Sequence, residues 1–202
     1  MPRLQGEQAG KERGANQVEI IKPEEYAVSE WAGGKTTQLY IYPQDSEYAK
    51  RNFLLRISSA TVECERSEFT SLPQVERIIL PLSGSLHLFY EGHGEKKLEP
   101  FEQDRFDGGW KTVSVGKATD FNVMLREGTQ AQVRLLDVKE NEQASVEVAA
   151  NGLTAVFAAQ GTATVDGKAL PERGLAVAKE EGNLLLVSGS AGCRLLCVEV
   201  QF

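Results

Sequence analysis

The sequence predicts an all-β fold, two small jelly-roll-type β-barrels packed in tandem, and three observations carry that expectation. Apolar residues come in short runs of four to eight rather than in helical periods, and Gly-containing turn signals separate the runs at close spacing. Only PEEYAVSE (23–30) invites even a short helix. Many short strands broken by turns build a sandwich or barrel, whereas an α/β sheet needs a long helical pattern between strands. The stretches on either side of ENEQA (140–144) are alike in kind, which sets two units in tandem.

In chain order, residues 1–17 are polar and are expected to be a flexible tail. VEIIKPEEY opens the first unit, followed by the turn WAGGKTT, the strand QLYIYP, a polar gap QDSEYAKRN and the strong β run FLLRISSATVEC. VERIILPL and SLHLFYEG flank the small residues of SGS (83–85) and are expected to pair as a hairpin. KKLEPF, TVSV, DFNVML and AQVRLLDV complete a first barrel over 18–138, and 139–149 is expected to be a linker. Over 150–202, GLTAVFAAQGTATVDGKAL, GLAVAKEEGNLLLVSG and CRLLCVEV, with turns at Gly161, Asp166-Gly167, Gly174, Glu181-Gly182 and Gly189, are expected to make a second, smaller barrel.

Composition narrows the function classes. A chain of 202 residues, 41% hydrophobic and 25% charged, can bury one substantial core or two small ones. No apolar run approaches the roughly 18 residues that span a bilayer, and MPRLQGEQAGKERGANQ holds no hydrophobic stretch, so no membrane partner and a cytoplasmic location are expected. A formal net charge of −7 argues against nucleic acid, whose phosphates are bound by Lys and Arg. The odd count of three cysteines, Cys64, Cys193 and Cys197, suits a reducing compartment. Cys193 and Cys197 lie four residues apart on an expected strand, about 13 Å, too far for a disulfide and poor for joint metal ligation.

Three motifs are decoys. GGKT in WAGGKTT imitates a phosphate loop, but the glycine required five positions before Gly34 is Ser29, and no buried strand precedes it. A tight turn positioning Trp31 and two threonines is the plainer reading. His87 and His93, the two histidines of the chain, are six residues apart with no second cluster, too few for a metal centre. Serines are plentiful, yet no G-x-S-x-G elbow singles one out as a nucleophile. No metal, no cofactor and no catalytic residue are therefore assigned.

What remains is TDFNVMLREG (119–128), where Asp120, Asn122, Met124 and Arg126 alternate with Phe121, Val123 and Leu125. Arg56 and Ser58 share a face in FLLRISSATVEC, and Arg77 lies in VERIILPL. Where barrels pack together, both sides of a strand can be screened from water, and inward polar residues then line a pocket. Arg offers a fork for carboxylates, Asn both a donor and an acceptor, and Asp an orienting acceptor. A solvated outer face or internal ion pairs would pattern the sequence in the same way.

WAGGKTTQLYIYP, FLLRISSATVECERSEFTSLPQVERIILPLSG, LEPFEQDRFDGGW and TDFNVMLREG, in that order, resemble the motifs of the HutD/Ves family over about residues 18–138. The resemblance implies a bicupin fold, an association with histidine-utilisation genes, and small-molecule binding or regulation with no established reaction. It points to Trp31, Thr36, Thr37, Arg56, Ser58, Phe69, Arg77, Asp120, Asn122, Met124 and Arg126. The chain departs from the family at Ala32-Gly33-Gly34-Lys35, where many members carry an Asn and three glycines after the Trp. The expectation is a metal-independent binding protein for a small, anionic, carboxylate-bearing metabolite that modulates amino-acid catabolism, with Trp31, Thr36, Thr37, Arg56, Ser58, Arg77, Asp120, Asn122, Met124 and Arg126 as ligand-binding residues. Two alternatives stay open: a metal-free cupin enzyme, an isomerase or hydrolase using Asp120 as base, and an interaction protein with a vestigial pocket. A homodimer is likewise left open.

Overall fold

The computed structural model describes residues 17–202. The tail expected over 1–17 lies, apart from Gln17, outside the described residues. The strands in chain order are β1 (Val18–Ile21), β2 (Ala27–Trp31), β3 (Gly34–Tyr42), β4 (Leu55–Val62), β5 (Arg66–Glu68), β6 (Glu76–Gly84), β7 (Leu86–Tyr90), β8 (Gly94–Leu98), β9 (Asp104–Asp107), β10 (Thr112–Val115), β11 (Ala118–Leu125) and β12 (Gln130–Val138). They continue as β13 (Gln143–Val148), β14 (Gly152–Gln160), β15 (Ala163–Val165), β16 (Lys168–Leu170), β17 (Leu175–Ala178), β18 (Gly182–Ser188) and β19 (Cys193–Gln201). Two short 3₁₀ turns, Pro23–Glu25 and Tyr48–Lys50, interrupt them.

Among the described residues four antiparallel sheets result, in the order β2-β3-β4-β11-β6-β9, β5-β10-β7-β8, β1-β17-β14-β19-β12 and β13-β18-β15-β16. The first two close on one interior, where Ile79, Leu86, Leu88, Tyr90, Leu98 and Phe106 pack together. The last two close on another, filled by Val146, Val156, Val165, Leu184, Leu186 and Leu195. The architecture is the expected all-β bicupin.

The pairing reaches across the division expected at 139–149. β1 and β12, both on its N-terminal side, hydrogen-bond to β17 and β19, and the expected linker itself carries β13, paired with β18. Edge strands explain this: β14 to β19 alone would leave the outer margins of β17, β19 and β18 unpaired, and β1, β12 and β13 cover them in turn.

A third apolar layer joins the barrels. Leu55, Ile57, Ile78, Leu80, Phe121, Val123 and Leu125 of the six-stranded sheet pack against Ala155, Phe157, Val177, Leu196 and Val198 of the five-stranded one. Because successive side chains of a strand point to opposite faces, burying Phe121, Val123 and Leu125 in this seam turns Asp120, Asn122 and Met124 into the first barrel. The strand is buried on both sides, so its polar face is not a solvated edge.

Candidate functional site: a polar pocket inside the first barrel

A cavity of about 330 Å³ opens in the first barrel, lined by Trp31, Thr36, Arg56, Ser58, Arg77, Asp120, Asn122 and Met124 together with Tyr48, Ser67, Phe69 and Thr70, among others. Eight of the ten expected residues therefore meet in one place. Thr37 does not, because it follows Thr36 on β3 and alternation sends it to the other face. Arg126 does not either, because β11 ends at Leu125 and the arginine lines a separate groove with Glu127 and Thr129.

The entrance is built by the Gly-rich turn. A Cβ on Gly33 would lie 2.1 Å from the Trp31 ring, and one on Gly34, whose φ is 151°, would lie 1.9 Å from the Thr61 carbonyl oxygen. Two glycines thus let β3 run against β4 while the indole folds over the turn. Trp31 keeps 40% of its surface exposed, as suits a residue at a pocket mouth. The GGKT sequence serves this turn between β2 and β3.

Two arginines hold the interior. Arg56 donates from Nε to Gln38 Oε1 at 2.9 Å and from Nη1 to Ser58 Oγ at 3.1 Å, and its guanidinium lies 4.2 Å from the centre of the Tyr48 ring. Arg77 is only 6% exposed and stacks 4.5 Å over Phe69. Among the described residues neither arginine has a carboxylate within 4.0 Å, and Arg77 Nε, Asn122 Oδ1 and Ser67 Oγ are buried without a hydrogen-bond partner. Burial pulls Arg77 down to about 10 against the opposing pull of Asp120, and lowers Arg56 for the same reason.

Asp120 is the buried acid of the pocket. Its Oδ1 accepts from the Ala60 N–H at 3.1 Å. Burial pushes the carboxyl up to about 6, and the Ala60 hydrogen bond and the charges of Arg77 and Arg56 pull it back only in part. Inside the chamber two buried cations thus face one buried carboxylate, an arrangement complementary to an anion, while Glu68, the other carboxylate of the lining, is exposed.

Tyr48, Ser67 and Thr70 were missed by sequence reasoning. Tyr48 sits on the 3₁₀ turn of the polar gap, which has no strand period to give its direction, and Ser67 lies on β5, a three-residue strand. His87 pairs with Glu95 at 3.2 Å, and His93 stacks on Trp110 at 3.9 Å. Among the described residues no group of three or more His, Cys, Asp or Glu is placed to hold a metal. Cys193 and Cys197 are buried in β19, and burial pushes the Cys197 thiol up to about 12. No described helix is long and apolar enough to cross a membrane.

Solved structures share this architecture. A conserved protein of unknown function, PA5104 from Pseudomonas aeruginosa PAO1, matches with a TM-score of 0.79 at 20% identity, over 92% of this chain and 100% of its own. HutD from Pseudomonas fluorescens SBW25, in a formate condition, matches at 0.75 and 20% identity, over 91% and 98%. The bacterial pirin YhhW from Escherichia coli, in complex with nickel(II), matches at 0.69 and 12% identity, over 92% and 100%. At these identities the likeness is one of fold. No curated protein matches the sequence significantly. The HutD family model, however, spans residues 23–198, covering both barrels, and the chain belongs to the HutD family.

Proposed function

We propose that this protein binds a small carboxylate-bearing metabolite in the first barrel, without a metal, and through it modulates amino-acid catabolism, that of histidine in particular. The observation that supports this most is Arg77, a buried guanidinium with an orphaned Nε and, among the described residues, no carboxylate within 4.0 Å. A buried charge without a partner costs several kcal/mol, and a ligand carboxylate would offset that cost by a forked, charge-assisted pair. The histidine link comes from the family, through its association with histidine-utilisation genes.

The test is a thermal-shift screen of amino acids, their acylated derivatives and dicarboxylates, since a ligand of the native state raises its melting temperature by mass action. A carboxylate that stabilises the wild type should lose about 2 kcal/mol of binding, roughly thirtyfold in affinity, in Arg77→Met. Equal stabilisation of both proteins would overturn the reading.

One observation favours an enzyme instead. A buried carboxyl with a pKa near 6 is mostly ionised at neutral pH and close to the range where a general base is most effective. Asp120→Asn would then abolish turnover of a bound metabolite while leaving its affinity largely intact; for a binding protein there is no turnover to lose.

A further inference from the structure

The β4–β11 ladder opens at the pocket. Thr119 pairs with Thr61 and Asn122 with Ser58 in the same register, but Asp120 and Phe121 have no paired residue on β4 between them. On its other side β11 carries an irregularity between Thr119 and Asp120. Bulges and ladder breaks beside sites commonly re-aim one side chain. Here side chains bridge the gap: the Ala60 N–H is received by the Asp120 carboxylate at 3.1 Å, and the Asp120 carbonyl accepts from Ser59 Oγ at 2.6 Å.

Ser59 is in turn held from the second barrel. Arg173 Nη2 donates to Ser59 Oγ at 3.1 Å, and its guanidinium lies 5.1 Å from the centre of Phe157 in the seam. The backbone of Arg173 is pinned on both sides: its N–H donates to the Ala158 carbonyl at 2.7 Å, and its carbonyl accepts from the Tyr26 hydroxyl at 3.0 Å. It adopts a φ of 65°, a left-handed conformation uncommon for a residue with a side chain. None of the ion pairs among the described residues includes Arg173. A half-buried guanidinium in an apolar seam, on a backbone fixed in a strained turn, is thus directed at one hydroxyl.

We infer that Arg173 is a positioning residue for the pocket: through Ser59 it fixes the break in β11 and so aims the Asp120 carboxylate, making the second barrel part of the first barrel's site. Ser59 faces the seam while Ser58 and Ala60 face the pocket, so the linkage reaches Asp120 from behind the sheet. Its functional consequence rests on the pocket being the ligand site, but the linkage itself can be read without any ligand.

The experiment is NMR of the ligand-free full chain. In the wild type the Ala60 amide proton, bonded to a carboxylate, should move as pH carries Asp120 through its titration. In Arg173→Met and in Ser59→Ala that movement should be strongly reduced, with the amide shifted upfield. Arg56 and Arg77, the cations facing Asp120, are untouched in both variants, and Ser59→Ala removes no charge, so the change would report geometry. Should Arg173→Met fail to fold, Ser59→Ala decides alone. An Ala60 amide that keeps its wild-type movement in every folded variant would overturn the inference, and would do so whether or not a carboxylate binds.

Discussion

The two barrels have the same layered build and opposite interiors. The second encloses Val146, Val148, Val156, Val165, Leu170, Leu184, Leu186 and Leu195 with Cys193 and Cys197, an aliphatic core completed by alanines on β14 and β17. The first divides its interior between an apolar cluster around Ile79, Leu88 and Phe106 and a chamber holding Arg56, Arg77, Asp120 and Asn122. Burial of apolar side chains drives folding, whereas burial of charge opposes it. The difference teaches where this molecule gives up stability. The second barrel and the seam supply the apolar burial that lets the first keep charged groups out of water.

The largest effect is expected from erasing that difference in the unfavourable direction. Leu186→Asp would place a carboxylate in the second interior, where Leu186 is fully buried among valines, leucines and cysteines. The expected loss is about 4 kcal/mol or more, enough to leave little folded protein, as read by circular dichroism and denaturant titration. A folded variant would mean that the second interior admits water, and the contrast between the barrels would fail.

Erasing the difference in the favourable direction should stabilise. The Asp120 carboxyl is raised from 3.8 to about 6 in the folded protein, so folding takes up a proton between these values. The stability this proton uptake confers is fully present below about pH 4 and is lost as pH rises through about 6. Asp120→Asn removes the ionisation while its amide oxygen can still accept from the Ala60 N–H. The variant should be more stable than the wild type at pH 8 by about 1–3 kcal/mol, and nearly equal to it at pH 4. A variant less stable at pH 8 would show that Arg56 and Arg77 depend on the Asp120 charge more than burial opposes it.

Much of this was legible in the sequence because alternation is a strong signal inside a strand. The period of DFNVML placed Phe121, Val123 and Leu125 in the seam and Asp120, Asn122 and Met124 in the pocket. The same rule applied to Thr36 would have excluded Thr37, which entered only through the family resemblance. Alternation is silent on irregular segments, which hid Tyr48, and it carries no information on which sheet an edge strand joins. β13 reads as linker because its outward residues Gln143, Ser145 and Glu147 are polar, yet Val146 and Val148 are buried. The Arg173–Ser59 contact spans 114 positions in the chain and follows no local pattern.

The smallest effect is expected at Arg126, where alternation was carried one step past the end of its strand. Beyond Leu125 the chain turns: the Arg126 N–H donates to the Leu54 carbonyl at 2.9 Å, Glu127 takes a φ of 56° and Gly128 one of 81°. The side chain then lines an open groove of about 870 Å³ that it shares with Glu76, Asp107 and Glu127. Arg105 in that groove is engaged by Glu76 and by the Ala131 carbonyl, so its charge is already matched. Both arginines, Arg126 and Arg77, have a buried Nε without a hydrogen-bond partner. Arg126, however, is half-buried in a groove that also holds Glu76, Asp107 and Glu127, where an ion pair is worth about 0–1 kcal/mol, whereas Arg77 is only 6% exposed in the chamber of the first barrel. Arg126→Ala should therefore change the affinity for a pocket carboxylate by less than about twofold and stability by about 0.5 kcal/mol or less, against the roughly thirtyfold loss expected for Arg77→Met. A tenfold or greater loss of affinity in Arg126→Ala, measured by titration calorimetry, would return Arg126 to the pocket and place the ligand's charge at the end of β11 rather than inside the first barrel.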